Sequence, residues 1–323
     1  MPLELDLAFA EAADPLLQIL AASPKHELHD IHARRIGITA LYDSVFAVLP
    51  YARGVERTVH QVRSHDGWTI FVKRYYKKNN SSPASSGRGP AIFHVHGGGM
   101  IQGTVDLFDK ALALQVEKSN IPIFSVDYRL APECPHPTPL EDCYAGLAWL
   151  HRQGAQFRVD NSRICLMGES AGGGLVAGIA MLARDRGLSP PLAKQALFYP
   201  MLDDKNTVPI PALEPFTTWT YDDNLTGWTA LLGQDIGTDN VSPYAAPARA
   251  TNLEGLPPTY IDVGALDIFR DEAIAFAAKI AAANIDLELH VYPSLPHIFE
   301  IYAPDCEPSQ RAVENRFKFI TSL

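Results

Sequence analysis

Hydrophobic and polar positions change their period twice along this chain. Residues 1–50 mix apolar and polar positions as helices do, with Ser23-Pro24 expected as N-cap and first helical position of a run ending near Val48. After Val55 the period becomes two: Val59–Val62 and Trp68–Tyr75 read as paired strands around a turn at His65-Asp66-Gly67. Lys77–Gly89, with two Asn, four Ser, a Pro and two Gly, reads as an exposed loop. Short apolar runs then alternate with amphipathic stretches. The runs are Ala91–Val95, Ile121–Val126, Ile164–Met167, Gln195–Tyr199, Thr259–Val263 and Leu287–Tyr292; the stretches are Asp106–Lys118, Glu141–Arg152, Gly173–Arg186 and Arg270–Ala283. Buried strands separated by helices predict βαβ units and a mostly parallel sheet covered on both faces, an α/β fold. From Leu202 to Pro258 the rhythm stops, in a segment rich in Pro, Asp, Asn and aromatics that is too long for a bare loop and reads as an insertion.

Composition narrows the class without identifying it. At 323 residues, 47% hydrophobic and 20% charged, the chain can bury a large core without staples. A net charge of −10 argues against a nucleic-acid partner, whose phosphates call for an excess of Lys and Arg. The four cysteines are scattered, with neither a zinc knuckle nor a disulfide framework. Pro2–Leu20 is apolar but interrupted by Glu4, Asp6, Glu11 and Asp14, so it does not read as a signal peptide, and no run suits a spanning helix. The expectation is a cytoplasmic protein with no membrane partner. His26, His29 and His32 recur every third residue, but no metal-binding pattern completes them, and a solvated helix face is the expected reading.

The strongest chemical signal is Gly168-Glu169-Ser170-Ala171-Gly172, preceded by a buried strand and followed by a helix. That is the setting a Gly-x-Ser-x-Gly elbow needs: the serine sits in a tight turn, glycines let neighbouring backbone pass, and helix N–H groups face developing charge. A second glycine-rich segment, His96-Gly97-Gly98-Gly99-Met100, also follows a strand. It lacks the Lys of a phosphate loop and suits an oxyanion hole, where bare backbone must approach a tetrahedral oxygen. A nucleophilic Ser170 needs a base and an acid, in the chain order serine, acid, histidine. Of eleven histidines only His290 and His297 follow Ser170; His290 alternates within a strand, which leaves His297 as base. Asp267, just past a strand, is the best acid, with Asp271 and Glu272 as alternatives.

Taken with Asp127-Tyr-Arg-Leu-Ala-Pro-Glu133, these motifs resemble the hormone-sensitive-lipase-like branch of the α/β-hydrolase carboxylesterases, from about residue 50 to the C-terminus. The resemblance implies an α/β-hydrolase fold with a helical cap. It implies Ser170 as nucleophile, His297 as base and Asp267 as acid, and the N–H groups of Gly97, Gly98 and Ala171 as oxyanion hole. Residues 51–201 and 241–323 would form the catalytic domain; residues 1–50 and the 202–240 insertion would form the cap. Glu169 stands where Asp or Thr is more usual, Met100 where an aromatic is frequent, and Ile298 where Gly is usual. Met100, Trp219, Trp228 and Ile298 are therefore the expected pocket residues. Arg129 and Glu133 are expected to pair locally.

The activity expected is hydrolysis of short- to medium-chain carboxylic esters through an acyl-enzyme, on a small-molecule substrate and with no metal or organic cofactor. A homodimer is expected from the family alone. Amidase, lactonase, deacetylase and acyl-transferase readings share every residue named. A non-catalytic receptor on this fold would keep the elbow and lose the histidine.

Overall fold

The chain enters its sheet through an antiparallel ribbon, β1 (Val55–Arg63) and β2 (Thr69–Lys77), paired from Val55↔Lys77 to Arg63↔Thr69. Gly67 closes the turn at φ +82°, a conformation that suits glycine alone without strain. The structure, a computed structural model, describes residues 3–23, 25–77 and 87–323. Most of the predicted Lys77–Gly89 loop therefore lies outside the described residues, as does Pro24. The remaining strands are β3 (Gly89–Val95), β4 (Ile123–Asp127), β5 (Val159–Glu169), β6 (Lys194–Phe198), β7 (Thr259–Gly264) and β8 (Leu287–Tyr292). Their spatial order is β1-β2-β4-β3-β5-β6-β7-β8, with β3 to β8 parallel and β2 antiparallel to β4. This is an α/β-hydrolase fold. The central strands are apolar on both faces because helices cover both: Ala91–Val95, Ile123–Val126 and Thr259–Gly264 are buried at every position.

Helices α3 (Asp109–Ser119), α4 (Thr138–Gln153), α5 (Ala171–Asp185) and α7 (Arg270–Ala282) match the four amphipathic stretches, while α6 (Tyr221–Leu232) lies in the insertion. Two further helices, α8 (Phe299–Tyr302) and α9 (Glu307–Thr321), follow β8. The N-terminal segment is two helices, α1 (Leu7–Ala22) and α2 (Ile31–Ala47). Ser23 ends the first instead of starting the second: its N–H donates to the Leu20 carbonyl at 3.1 Å. The second is capped by Asp30, whose carboxylate accepts from the Ala33 N–H at 2.9 Å. Among the described residues no helix is long and apolar enough to cross a membrane.

Long-range polar contacts tie α2 to the insertion and to the body. Arg34 meets Asp223 at 2.8 Å, and the His29 N–H donates to Thr226 Oγ1 at 3.1 Å. Arg35 reaches across to the sheet edge, donating to the Ile101 and Ala131 carbonyls and making a two-pronged pair with Glu133 at 2.7 Å per bond. The expected Arg129–Glu133 pair is thus absent. Arg129 instead binds the fully buried Asp142, which α4 brings in line with its fork, and the exposed Asp66 of the β1–β2 turn.

The Arg35 hydrogen bond holds the Glu133 carboxyl down at about 2, from an ordinary value of 4.5. A depressed carboxyl adds stability above its unfolded value and loses it as pH falls towards its folded value. With Glu133 60% exposed the effect is small, under about 1 kcal/mol. Denaturant melts of Glu133→Gln should therefore differ slightly from wild type at pH 6, and the difference should shrink on descending to pH 3.

Candidate active site

Strand β5 and helix α5 are joined by a single residue, Ser170, held at φ 57° and ψ −122°. A non-glycine residue there costs about 1–3 kcal/mol, and the surroundings over-determine it. Its N–H donates to the Phe198 carbonyl at 2.9 Å, and its carbonyl accepts from Met201 N–H at 3.0 Å, so both ends of the turn hang on the end of β6. Gly168 and Gly172 are required by close approach: a Cβ at either would strike backbone, of Gly172 and Gly173 in one case and of Val95 and His96 in the other.

His297 comes from the loop after β8, and Asp267 from the loop between β7 and α7. His297 Nε2 lies 3.1 Å from Ser170 Oγ, and His297 Nδ1 lies 2.6 Å from Asp267 Oδ2. The other Asp267 oxygen accepts from Phe269 N–H at 2.9 Å. The imidazole is clamped edge-on between Tyr199 and Phe269, whose ring centroids lie 4.8 and 5.1 Å away. All three side chains are buried, with exposures of 6%, 1% and 5% for Ser170, Asp267 and His297. A serine hydroxyl, an imidazole and a carboxylate in this relay can pass a proton away from the oxygen.

The alternatives are occupied elsewhere. Asp271 pairs with Arg270 at 2.7 Å and is largely exposed. Glu272 accepts from Leu202 N–H and Asn206 Nδ2, bracing the start of the insertion; burial pushes its carboxyl well above the ordinary range. His290 stays on β8 beside Glu288. Below the site, Arg316 of α9 clasps Asp262 and Glu300, and Glu300 accepts from the Tyr199 hydroxyl, tying the loop that carries His297 to the C-terminal helix.

The glycine loop departs from expectation at one residue. The N–H of Gly97 donates to Glu169 Oε1 at 3.1 Å, so it is not available to an oxyanion. The N–H groups of Gly98, Gly99 and Ala171 have no acceptor among the described residues. Gly98 and Gly99 sit at φ +118° and +61°, and Ala171 opens α5. The expected pocket residues separate into two groups. The Trp219 ring lies against Gly99, filling the space a Cβ there would need, and Thr218 Oγ1 donates to the His297 carbonyl at 2.9 Å. Met100 ends the glycine loop and Ile298 follows His297, both buried and both at positive φ. Trp228 is fully buried in the hydrophobic core on α6. A cavity of about 630 Å³ between the start of α2, the Pro132–His136 loop and α6 is lined by none of Ser170, Asp267 and His297.

Elbow, relay and glycine loop at the carboxyl ends of parallel strands define a hydrolase of the α/β type. The family model for the alpha/beta hydrolase fold matches residues 92–301, and the chain belongs to that family, in its hormone-sensitive-lipase-like branch. Esterase LipI of Mycobacterium tuberculosis is 35% identical over 214 residues, 66% of this chain and 67% of that protein. Carboxylesterase NlhH of the same organism is 33% identical over 259 residues, 79% and 78% of the two chains. The structure of a bacterial heroin esterase superposes with a TM-score of 0.87 at 32% identity, covering 98% of this chain and 97% of that one.

Proposed function

We propose that this chain is a serine carboxylesterase acting on small carboxylic esters, with Ser170 as nucleophile. The observation that carries the reading is the buried relay from Ser170 through His297 to Asp267, at 3.1 and 2.6 Å. Asp267 accepts from His297 Nδ1–H, which leaves Nε2 as the acceptor facing the serine hydroxyl. Ser170 attacks the ester carbonyl as its proton passes to His297; the new imidazolium is stabilised by Asp267 and returns the proton to the leaving alcohol. Water then repeats the sequence on the acyl-enzyme. Negative charge on the tetrahedral oxygen falls to Gly98, Gly99 and Ala171, each N–H worth roughly 10²–10³ in rate.

Hydrolysis of p-nitrophenyl acetate and butyrate, with stoichiometric labelling of Ser170 by a fluorophosphonate, tests the reading. A protein inert to both would be a binding module instead. The histidine 3.1 Å from the serine oxygen supports the enzyme.

The cap belongs to the same proposal. Helices α1 and α2 and the 202–240 insertion cover the site, a division supported by the Arg34–Asp223 and His29–Thr226 contacts. Residues 51–201 and 241–323 carry the catalytic groups. Within the cap, Trp219 is the wall nearest the oxyanion loop, so it limits acyl length together with Met100 and Ile298. Trp219→Ala should raise kcat/KM for p-nitrophenyl octanoate relative to acetate by roughly tenfold. An unchanged chain-length profile would remove Trp219 from the pocket.

A further inference from the structure

Glu169 stands one residue before the nucleophile and carries a side chain that the relay does not use. Strands β3 and β5 run side by side in register, Val95 beside Gly168, so the end of β5 delivers Glu169 against the start of the glycine loop. Its carboxylate gathers two donors there. Oε1 accepts from Gly97 N–H at 3.1 Å, and Oε2 lies 3.0 Å from His94 Nε2. His94 Nδ1 lies in turn 2.8 Å from Ser125 Oγ, across the β3–β4 pair in which His94 and Ser125 are partners. All three residues are buried, at 8%, 1% and 0% exposure. A carboxylate only accepts, so His94 carries its proton on Nε2 and accepts a hydrogen bond from the Ser125 hydroxyl at Nδ1.

We propose that Glu169 is the positioning residue of the oxyanion loop, acting from the strand that carries the nucleophile; this rests on the esterase reading. A hydrogen bond from a neutral N–H to a buried carboxylate is among the stronger ones available, and it fixes the plane of the His96–Gly97 peptide. Other groups hold the carbonyls of this loop: the Tyr128 hydroxyl donates to the His96 carbonyl at 2.9 Å, and Ile101 and Gln102 N–H donate to the Gly98 carbonyl at 3.2 and 3.1 Å. Glu169 is the acceptor for the Gly97 N–H, directly before two glycines whose positive φ values give the backbone alternatives. Gly97 also lies directly against the elbow: a Cβ on it would meet the Glu169 carbonyl oxygen at 2.9 Å and Ser170 Cβ at 3.4 Å. Nucleophile and oxyanion donors are thereby held at one separation before substrate arrives, the preorganisation on which electrostatic catalysis depends. A side chain of this length is needed, since an aspartate would fall about one methylene short of one of its two donors.

The experiment is a series at this position, read by kcat, KM, the Ki of a trifluoromethyl ketone whose hemiketal oxygen occupies the oxyanion hole, and the pH profile of kcat/KM. Glu169→Ala should lower kcat by roughly 30-fold at little-changed KM, with Ki rising in parallel, since the loss falls on the charged oxygen. Glu169→Asp should lose roughly tenfold, and Glu169→Gln only a fewfold. The amide oxygen of Gln still accepts from Gly97, and its N–H₂ meets His94 once the ring shifts its proton to Nδ1 and Ser125 accepts. A Gln variant as impaired as the Ala variant, with the acid limb of the profile displaced in both, would show a charge effect on His297 and overturn the proposal. Equal kcat and Ki in all four proteins would overturn it too. Should the Ala variant fail to fold, the Gln–Asp comparison decides alone. A wild type that hydrolyses no ester and takes no fluorophosphonate would refute the esterase reading instead, whatever the variants do.

Discussion

Ser170→Ala is expected to abolish ester hydrolysis, lowering kcat by roughly 10⁴–10⁶-fold while the protein melts within a few degrees of wild type. The substitution removes one oxygen and leaves the elbow untouched, because the backbone bonds to Phe198 and Met201 involve main-chain groups that Ala also has. Its positive φ is borne by the surroundings in either case. What remains is an oxyanion loop and a base facing a methyl group, and the residual rate is that of water activated by His297. Steady-state hydrolysis of p-nitrophenyl butyrate, with loss of fluorophosphonate labelling and a thermal melt, reads all three terms. Retained turnover would remove Ser170 from the mechanism.

The second large effect is expected at Asp267→Asn: a drop in kcat of about 10⁴-fold with the fold intact. Asp267 is buried and uses both oxygens, one on Phe269 N–H and one on His297 Nδ1. An Asn can keep the first bond only by presenting its N–H₂ to His297. Nδ1 must then accept, the ring proton moves to Nε2, and a donor faces the hydroxyl that needs an acceptor. The geometry survives and the base is lost. Labelling by the fluorophosphonate should slow in proportion to kcat. A loss below about tenfold would return the role to Asp271 or Glu272, which the present geometry places on Arg270 and on Leu202 and Asn206.

Much of this was legible in one dimension, and the reasons are local. The elbow needs glycines at fixed offsets from a serine between a strand and a helix. Chain order then leaves His297 as the only non-strand histidine after Ser170. The βα alternation survives in the sequence because a strand buried on both faces must be apolar at every position, as Thr259–Gly264 is. Helix boundaries were less secure. Ser23-Pro24 and Asp30 both carry capping chemistry, and only the packing of α1 decided that Ser23 closes one helix while Asp30 opens the next. Helix α6 announced itself weakly, through the capping box of Thr220 and Asp223 inside a Pro- and Asp-rich segment. Helix α9 lies beyond the last apolar run and was not among the expected stretches, although its buried Ala312, Arg316 and Ile320 recur at helical spacing.

Length and pattern by themselves determined the α/β class, the strand–serine–helix turn at Ser170 and His297 as the non-strand histidine that follows it. Those depend on backbone sterics and on side-chain period, which a chain carries wherever it goes. Partner choice was decided only in three dimensions. Glu133 turns from Arg129 to an arginine 98 residues away, Arg129 turns to Asp142, and the Gly97 N–H goes to Glu169 instead of to substrate. A hydrogen bond is selected by distances of a few tenths of an ångström, and those are set by how strands align and helices pack, which no local stretch of sequence encodes.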